Sequence, residues 1–453
     1  MNTSFNKPVS AFMLIKFAIP TILSMILLNT FLSVDKVFVA RMVSVEALAA
    51  VNLVWPLVNA VLAVGSMLAM GGSALIAKKK GEGKIVEARQ NFTLIIMFGV
   101  IASALISFVI LVFDTAVLRI LGVDYYMHDL ARDYMFPLGK VAPAPILGVM
   151  FSQLMITDGK PTLGGISVAL GAILSTVLNW VFISRLDMGI SGAAYATGIG
   201  YSLPTLIGIV YFTFSRKRGI YFVKPKWDFF VITKSSAIGI SEFITLISIS
   251  IVTTVINNRL MDIDGPLSVA AIAAILGVQN ILMAIFMGYS FGIAPIVSHS
   301  FGAGDTGRLR KIYKISLTIM GILSVSALAI GLIFTSPLIR IYFDISNPFN
   351  IPPYELAKDG FRIVSLGFIF MGVSVFATSW FTALNDALVS GLMSICRTLV
   401  FILISVLVFS HFWGVDGIWW GIPFAEVPAI IMSIFFLVKM NGRYKYVKQY
   451  NAA

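Results

Sequence analysis

Six ionisable side chains stand inside long apolar runs of this 453-residue chain: Asp35, Lys36, Lys140, Glu242, Arg397 and Glu426. A charge in hydrocarbon is costly, so each points to a functional role, whether binding a cation, relaying a proton or compensating another charge. Asp35 follows Lys16 by about 28 Å of helix, which puts it near the far side of a bilayer. Lys36 is adjacent and points to a different face, so the two need not pair. Glu242 lies about two turns into its run, and Glu426 lies near the middle of another. Arg397 is a candidate counter-ion for Glu426. Lys140, between Gly139 and Pro143, could repel cations or pair with Asp35. Asn29, Asn59, Gln153, Asn179, Asn257, Gln279 and Asn280 add neutral donors and acceptors within the same runs, suited to hydrogen bonds between helices.

The elements that carry these groups follow from composition. The chain is 58% hydrophobic and 12% charged, against about 25% charged for soluble domains. That balance excludes a soluble enzyme, a disordered chain and a nucleic-acid-binding domain. Apolar runs of spanning length fall at about 14–40, 48–76, 92–113, 133–157, 163–184 and 190–214, then at 233–257, 268–297, 312–339, 361–384, 387–410 and 416–438. Alternating ten-residue segments of a barrel are missing, so the fold class is all-α integral membrane with twelve transmembrane helices. Cys396 is the single cysteine, and His128, His299 and His411 are far apart, so neither a disulfide nor a metal site is expected. Residues 1–10 do not read as a cleaved signal peptide. Phosphate-binding, nucleophile-elbow and dinucleotide motifs are absent, and no catalytic residues or cofactor are expected.

Most of the 33 lysines and arginines fall on one side of the predicted spans. Lys78, Lys79, Lys80, Lys84, Arg216, Lys217, Arg218, Arg308, Arg310 and Lys311 share that side with both termini. The positive-inside rule then makes both termini cytoplasmic, and the basic patches read as topology signals. The chain divides into 1–214, a cytoplasmic linker 215–232, and 233–453. The halves repeat: at an offset of 221, Gly71, Gly81, Gly83 and Arg89 meet Gly292, Gly302, Gly304 and Arg310. Two six-helix lobes of equal orientation imply a pseudo-two-fold axis along the membrane normal, with a substrate site between them that suits alternating access.

Short motifs in order along the chain resemble one family. They are Ile19-Pro20-Thr21, Val34-Asp35, Ala47 to Val51, Gly71-Gly72-Ser73-Ala74, Gly189 to Thr197, Phe301-Gly302-Ala303, Arg397, Gly414 to Trp419, Pro423 and Glu426. Together they look like the multidrug and toxic compound extrusion (MATE) transporters, in detail the MepA-like branch. The resemblance implies a secondary antiporter that exchanges substrate for protons or sodium ions. It makes Asp35 the ion-coupling acid of the first lobe. A family pattern of Asn, then Asp four residues later, falls on Ser175 and Asn179, where both residues differ. Thr197 matches a family threonine. Asp35, Ser175, Asn179 and Thr197 form the expected coupling site, with proton coupling slightly favoured. Glu242, Glu426, Gln153, Asn257 and Arg397 are expected to line the substrate cavity. The expected activity is export of amphipathic, cationic small molecules across the plasma membrane by a monomer in contact with lipid, with no nucleic-acid partner. The alternative is a lipid-linked precursor flippase of the same superfamily, which needs a basic cavity for pyrophosphate.

Overall fold

The structure, a computed structural model, describes residues 8–43, 45–123, 125–214, 219–343, 345–346 and 348–447. The side chains of 31–38, Ala40, Arg41, Val45, Glu46, Leu48 and Tyr125 lie outside that description. Long helices follow one another through short turns, with no strand among the described residues. The first half holds α1 (Ala11–Met42), α2 (Val45–Gly81) and α3 (Ile85–Val112). Next comes α4, made of His128–Val141 and Pro143–Thr157 bent by 49°. Then α5 (Pro161–Trp180) ends in a π-turn at Val181–Arg185, and α6 is Gly189–Phe214. The second half repeats the plan with α7 (Phe229–Asp264), α8 (Pro266–Gly302) and α9 (Thr306–Ile333). Its α10, Ile351–Ser365 and Phe368–Ala383, is bent by 58°.

Nine helices among the described residues are long and apolar enough to cross a membrane singly, and the two bent pairs raise this to eleven. The twelfth comes from the last stretch, where Ala387–Ile395, the π-turn Cys396–Val400 and Phe401–Lys439 run together. Gly414, at φ 58° and ψ −129°, turns that stretch back on itself. The Phe409 and Phe424 rings lie 5.1 Å apart, whereas unbroken helix would separate them by about 22 Å. The part before Gly414 is α11 and the part after it is α12.

Helix starts are encoded locally. Ser10 Oγ accepts from the Met13 N–H at 3.2 Å to begin α1, and Asp228, Asp305 and Asp386 cap α7, α9 and α11 in the same way. Two buried clusters form the cores. One holds Phe92, Met150, Phe151 and Phe212 of the first half. The other holds Phe286, Phe368, Phe376, Trp380 and Trp419 of the second. The division is not strictly sequential: Leu14, Phe17 and Ala18 of α1 pack into the second cluster, and Ile238 of α7 packs into the first. Each lobe thus lends its first helix to the other. Outward, Phe108, Ile173, Ile322 and Phe435 are exposed apolar side chains, the surface expected to meet lipid.

The seam between the lobes is two-fold at the level of backbone. A Cβ on Gly71 (α2) would strike the backbone of Ser235 and Gly239 (α7), and one on Gly292 (α8) would press on Ala18 (α1). At the helix ends, a Cβ on Gly81 would strike the His299 carbonyl, and one on Gly302 would strike the Lys78 carbonyl. All of these pairs are related by the offset of 221 found in the sequence. Close approach of backbones through small residues is how helices associate in lipid. It closes the basic end of the bundle.

Candidate functional site

Described residues of the first lobe line two cavities, the larger away from that closed end and the smaller midway along its helices. The larger, about 740 Å³ and continuous with the outside, has Trp55, Leu138, Tyr134, Thr197 and Tyr201 among its walls. Trp55 stands about 39 Å of helix from Gly81. The smaller, about 240 Å³, lies against Leu28, Ser175, Thr197, Tyr201 and Pro204. Thr197 and Tyr201 are one turn apart on α6 and line both spaces. Gly171 of α5 and Gly200 of α6 let these helices meet closely, with Gly200 directly against Ser175. The Ser175 hydroxyl is buried there without a hydrogen-bond partner, and Asn179, one turn further along α5, is fully buried.

Of the expected coupling residues, Ser175 and Thr197 therefore share a cavity wall, and Asn179 stands on the same face of α5 as Ser175. The side chains of Asp35 and Lys36 lie outside the described residues. Lys140 is exposed, with Nζ 3.4 Å from the Tyr195 hydroxyl and 4.8 Å from the centre of the Phe136 ring.

The second lobe holds the buried charges. Glu242 (α7), Arg397 (π-turn of α11) and Glu426 (α12) are each less than 10% exposed, at 6%, 7% and 8%. The Arg397 charge acts on both carboxylates, so the sequence pairing of Arg397 with Glu426 becomes a three-member cluster. None of the three closes an ion pair within 4 Å among the described residues, and Arg397 Nε and Glu426 Oε2 make no hydrogen bond. Hydroxyls tie the surrounding helices together: Ser241 to Thr382 at 3.0 Å, Thr245 to Ser394 at 2.7 Å, and Ser394 to the Ser241 carbonyl at 2.7 Å. Neither cavity touches this cluster.

The other two residues expected on the substrate wall stand elsewhere. Gln153 is buried in the seam, where Nε2 donates to the Phe291 carbonyl at 3.4 Å and lies 3.5 Å from Ser73 Oγ. Asn257 is half-buried on α7, about 22 Å along the helix from Glu242. Sequence reasoning missed Tyr201, which only its register on α6 with Thr197 could have flagged. It also missed Asp158, buried at 1% exposure and bound to Lys80 at 3.1 Å and the Tyr211 hydroxyl at 2.8 Å. No group of three or more His, Cys, Asp or Glu that could hold a metal ion occurs among the described residues.

A sequence profile of the MatE family matches residues 20–181 and 240–407, a segment in each lobe. The chain belongs to the MatE family. Membership makes it a multi-pass membrane transporter and not an enzyme. It is similar to the multidrug export protein MepA of Staphylococcus saprophyticus, 20% identical over 94% of this chain and 93% of the relative. A MATE crystal structure in complex with MaL6 superposes with a TM-score of 0.90 at 18% identity, covering 96% of this chain and 97% of that one. An outward-facing multidrug resistance MATE transporter gives 0.88 at 18% identity over 95% and 96%. These likenesses establish the twelve-helix, two-lobe fold.

Proposed function

We propose that this MATE transporter is a multidrug exporter, one that exchanges amphipathic, cationic small molecules for protons or sodium ions by alternating access. The observation that carries the reading is the bundle sealed at its basic end through Gly81 and Gly302, with the larger cavity in the half away from the seal. With the termini cytoplasmic, as the lysine and arginine distribution asks, that half faces outward. Apolar and aromatic walls suit amphipathic ligands of varied shape. Asp35, Ser175, Asn179 and Thr197 form the coupling site, with the coupling ion, a proton by preference, supplied by the gradient. Glu242 and Glu426, with Arg397 beside them, give the second lobe acids that favour a cation over an anion. The protein works as a monomer in the plasma membrane, because one chain supplies both lobes.

The flippase alternative asks for a basic cavity, and neither cavity wall carries a lysine or arginine among the described residues. The deciding experiment is efflux of a fluorescent lipophilic cation from proteoliposomes, with proton and sodium gradients imposed separately. Efflux driven by one gradient and abolished by Asp35→Asn is the expected result. Full efflux by that variant removes Asp35 from coupling, and no efflux under either gradient by folded protein overturns the exporter reading.

A further inference from the structure

The repeated Gly-x-Gly-x5-Arg motif is more than a turn. Gly83 and Gly304, at φ 76° and 67°, make the two turns, but the arginines reach away from them. Arg89 donates through Nε to the Gly219 carbonyl at 3.0 Å and through Nη1 to the Tyr221 hydroxyl at 2.9 Å. Its guanidinium also covers the Tyr221 ring at 4.0 Å. In the second lobe, Arg310 Nε donates to the Lys445 carbonyl at 3.0 Å. Each arginine thus holds the backbone of the segment that follows the sixth helix of its lobe.

The correspondence continues three residues on. Phe92 packs on Phe222 at 5.1 Å, and Tyr313 packs on Tyr446 at 5.0 Å. A buried aspartate anchors each segment from the other side. Asp158 accepts from the Ile220 N–H at 3.0 Å, and Asp386 accepts from the Tyr444 hydroxyl at 2.7 Å. Tyr446 is fully buried, donating to the Leu437 carbonyl at 2.6 Å with its ring 5.7 Å from Trp380. Residues 440–447 are therefore the second lobe's counterpart of the linker residues 219–223.

Both segments lead to the seam. In the first lobe, Asp158 also holds Lys80 at the end of α2. In the second, Tyr444 packs on Phe301 at the end of α8, 5.6 Å between rings, and the Lys78 ammonium of α2 lies 5.0 Å from the Phe301 ring centre. Phe301 adjoins Gly302, whose contact with the Lys78 carbonyl closes the bundle. We infer that residues 440–447 are a strap that keeps the cytoplasmic seam shut by fixing the end of α8, with Arg310 and Tyr444 as its positioning residues. Releasing the strap frees α8 to leave α2, which is the opening step on that side. The inference uses the orientation and alternation proposed above, but its test needs no substrate.

The test is thiol labelling in lipid nanodiscs on a Cys396→Ala background. A reporter at Ser73→Cys sits about 12 Å of helix above Gly81, at 1% exposure in the parent. A second reporter, Leu138→Cys, lines the outer cavity. Arg310→Ala and Tyr444→Phe should each speed labelling at Ser73→Cys by about fivefold or more, the factor expected for losing about one hydrogen bond, with no rise at Leu138→Cys. Unchanged labelling at Ser73→Cys overturns the inference. So does an equal rise at both reporters, which would mean general loosening. If Arg310→Ala does not fold, Tyr444→Phe decides alone, since it keeps the ring and removes only the bond to Asp386. Failure of this test leaves gradient-driven efflux intact, so it is distinguishable from failure of the exporter reading.

Discussion

Asn59 of α2 donates through Nδ2 to Ser250 Oγ of α7 at 2.8 Å. Asn59 is about 33 Å of helix from Gly81 and about 21 Å from the far end of α2, so this bond clasps the lobes in the half away from the seal. With lobes that rock, the outer cleft cannot open fully on the α2–α7 side while the bond is made. A hydrogen bond contributes about 1 kcal/mol net, or a factor of about five in an equilibrium. Asn59→Ala should raise the outward-open population about fivefold, because the Ser250 hydroxyl left behind is only half-buried. Ser250→Ala should shift it further, by about 1–3 kcal/mol, because Asn59 at 7% exposure then keeps an unmet amide in the closed state and regains water on opening. The double variant should match Asn59→Ala instead of adding the two effects. Spin-label distances between the outer ends of α2 and α7 would measure all three populations. Additive effects in the double, or no shift in either single variant, would refute the clasp.

Three further outcomes follow from particular contacts. Arg397→Met leaves two buried carboxyls without their cation, so thermal unfolding should show a loss of about 3–5 kcal/mol, recovered in part by adding Glu426→Gln and further by adding Glu242→Gln. Ser175→Ala removes a hydroxyl that has no bond to lose, so stability should stay within about 0.5 kcal/mol, while the half-saturating concentration of the coupling cation in efflux rises about fivefold. Arg132, whose Nε lies 2.6 Å from Asp114 Oδ2, holds that carboxyl below its ordinary pKa. Its stabilisation is therefore complete above the ordinary aspartate value of about 3.9 and lost as pH falls through the lowered one. Asp114→Asn should lower the melting temperature slightly at pH 7, and the difference from the parent should vanish once acidification has protonated the Asp114 carboxyl.

The twelve helices were legible because the bilayer allows so few alternatives: an apolar run of spanning length has to be a helix. Even the hairpin at Gly414 was visible as a gap between two runs. The offset of 221 was legible too, through Gly71, Gly81, Gly302 and Arg310. Its meaning was not, because a glycine that admits a neighbouring helix and one that makes a turn read alike. Gly81 does the former and Gly83 the latter, two residues apart. Arg310 read as one more cytoplasmic charge, since nothing local to it names Lys445, 135 residues away. Gln153 and Asn257 stand apart from Glu242 for a related reason. Membership of a span fixes depth only roughly and leaves the face, and hence the neighbour, to packing.

The symmetry of the seam and the asymmetry of the lobes belong to different requirements. Rocking needs both lobes to offer the same small-residue surface, and Gly71 with Gly239 and Gly292 with Ala18 supply it at equivalent positions. Coupling needs the lobes to differ, because a ligand shifts a two-state equilibrium only through unequal affinity for the two states. The first lobe keeps open volume beside hydroxyl groups, at Ser175 and Thr197. The second fills its interior with Trp380 and Trp419 and sets its charges, Glu242, Arg397 and Glu426, away from either cavity. On the proposed reading, a cation would meet the hydroxyl-lined space of the first lobe, while the charges of the second lobe stand apart from both cavities. Exchange of Ser175→Ala with Glu242→Gln separates these roles: the first should change cation affinity in the outward state, and the second should change the rate at which that state is left.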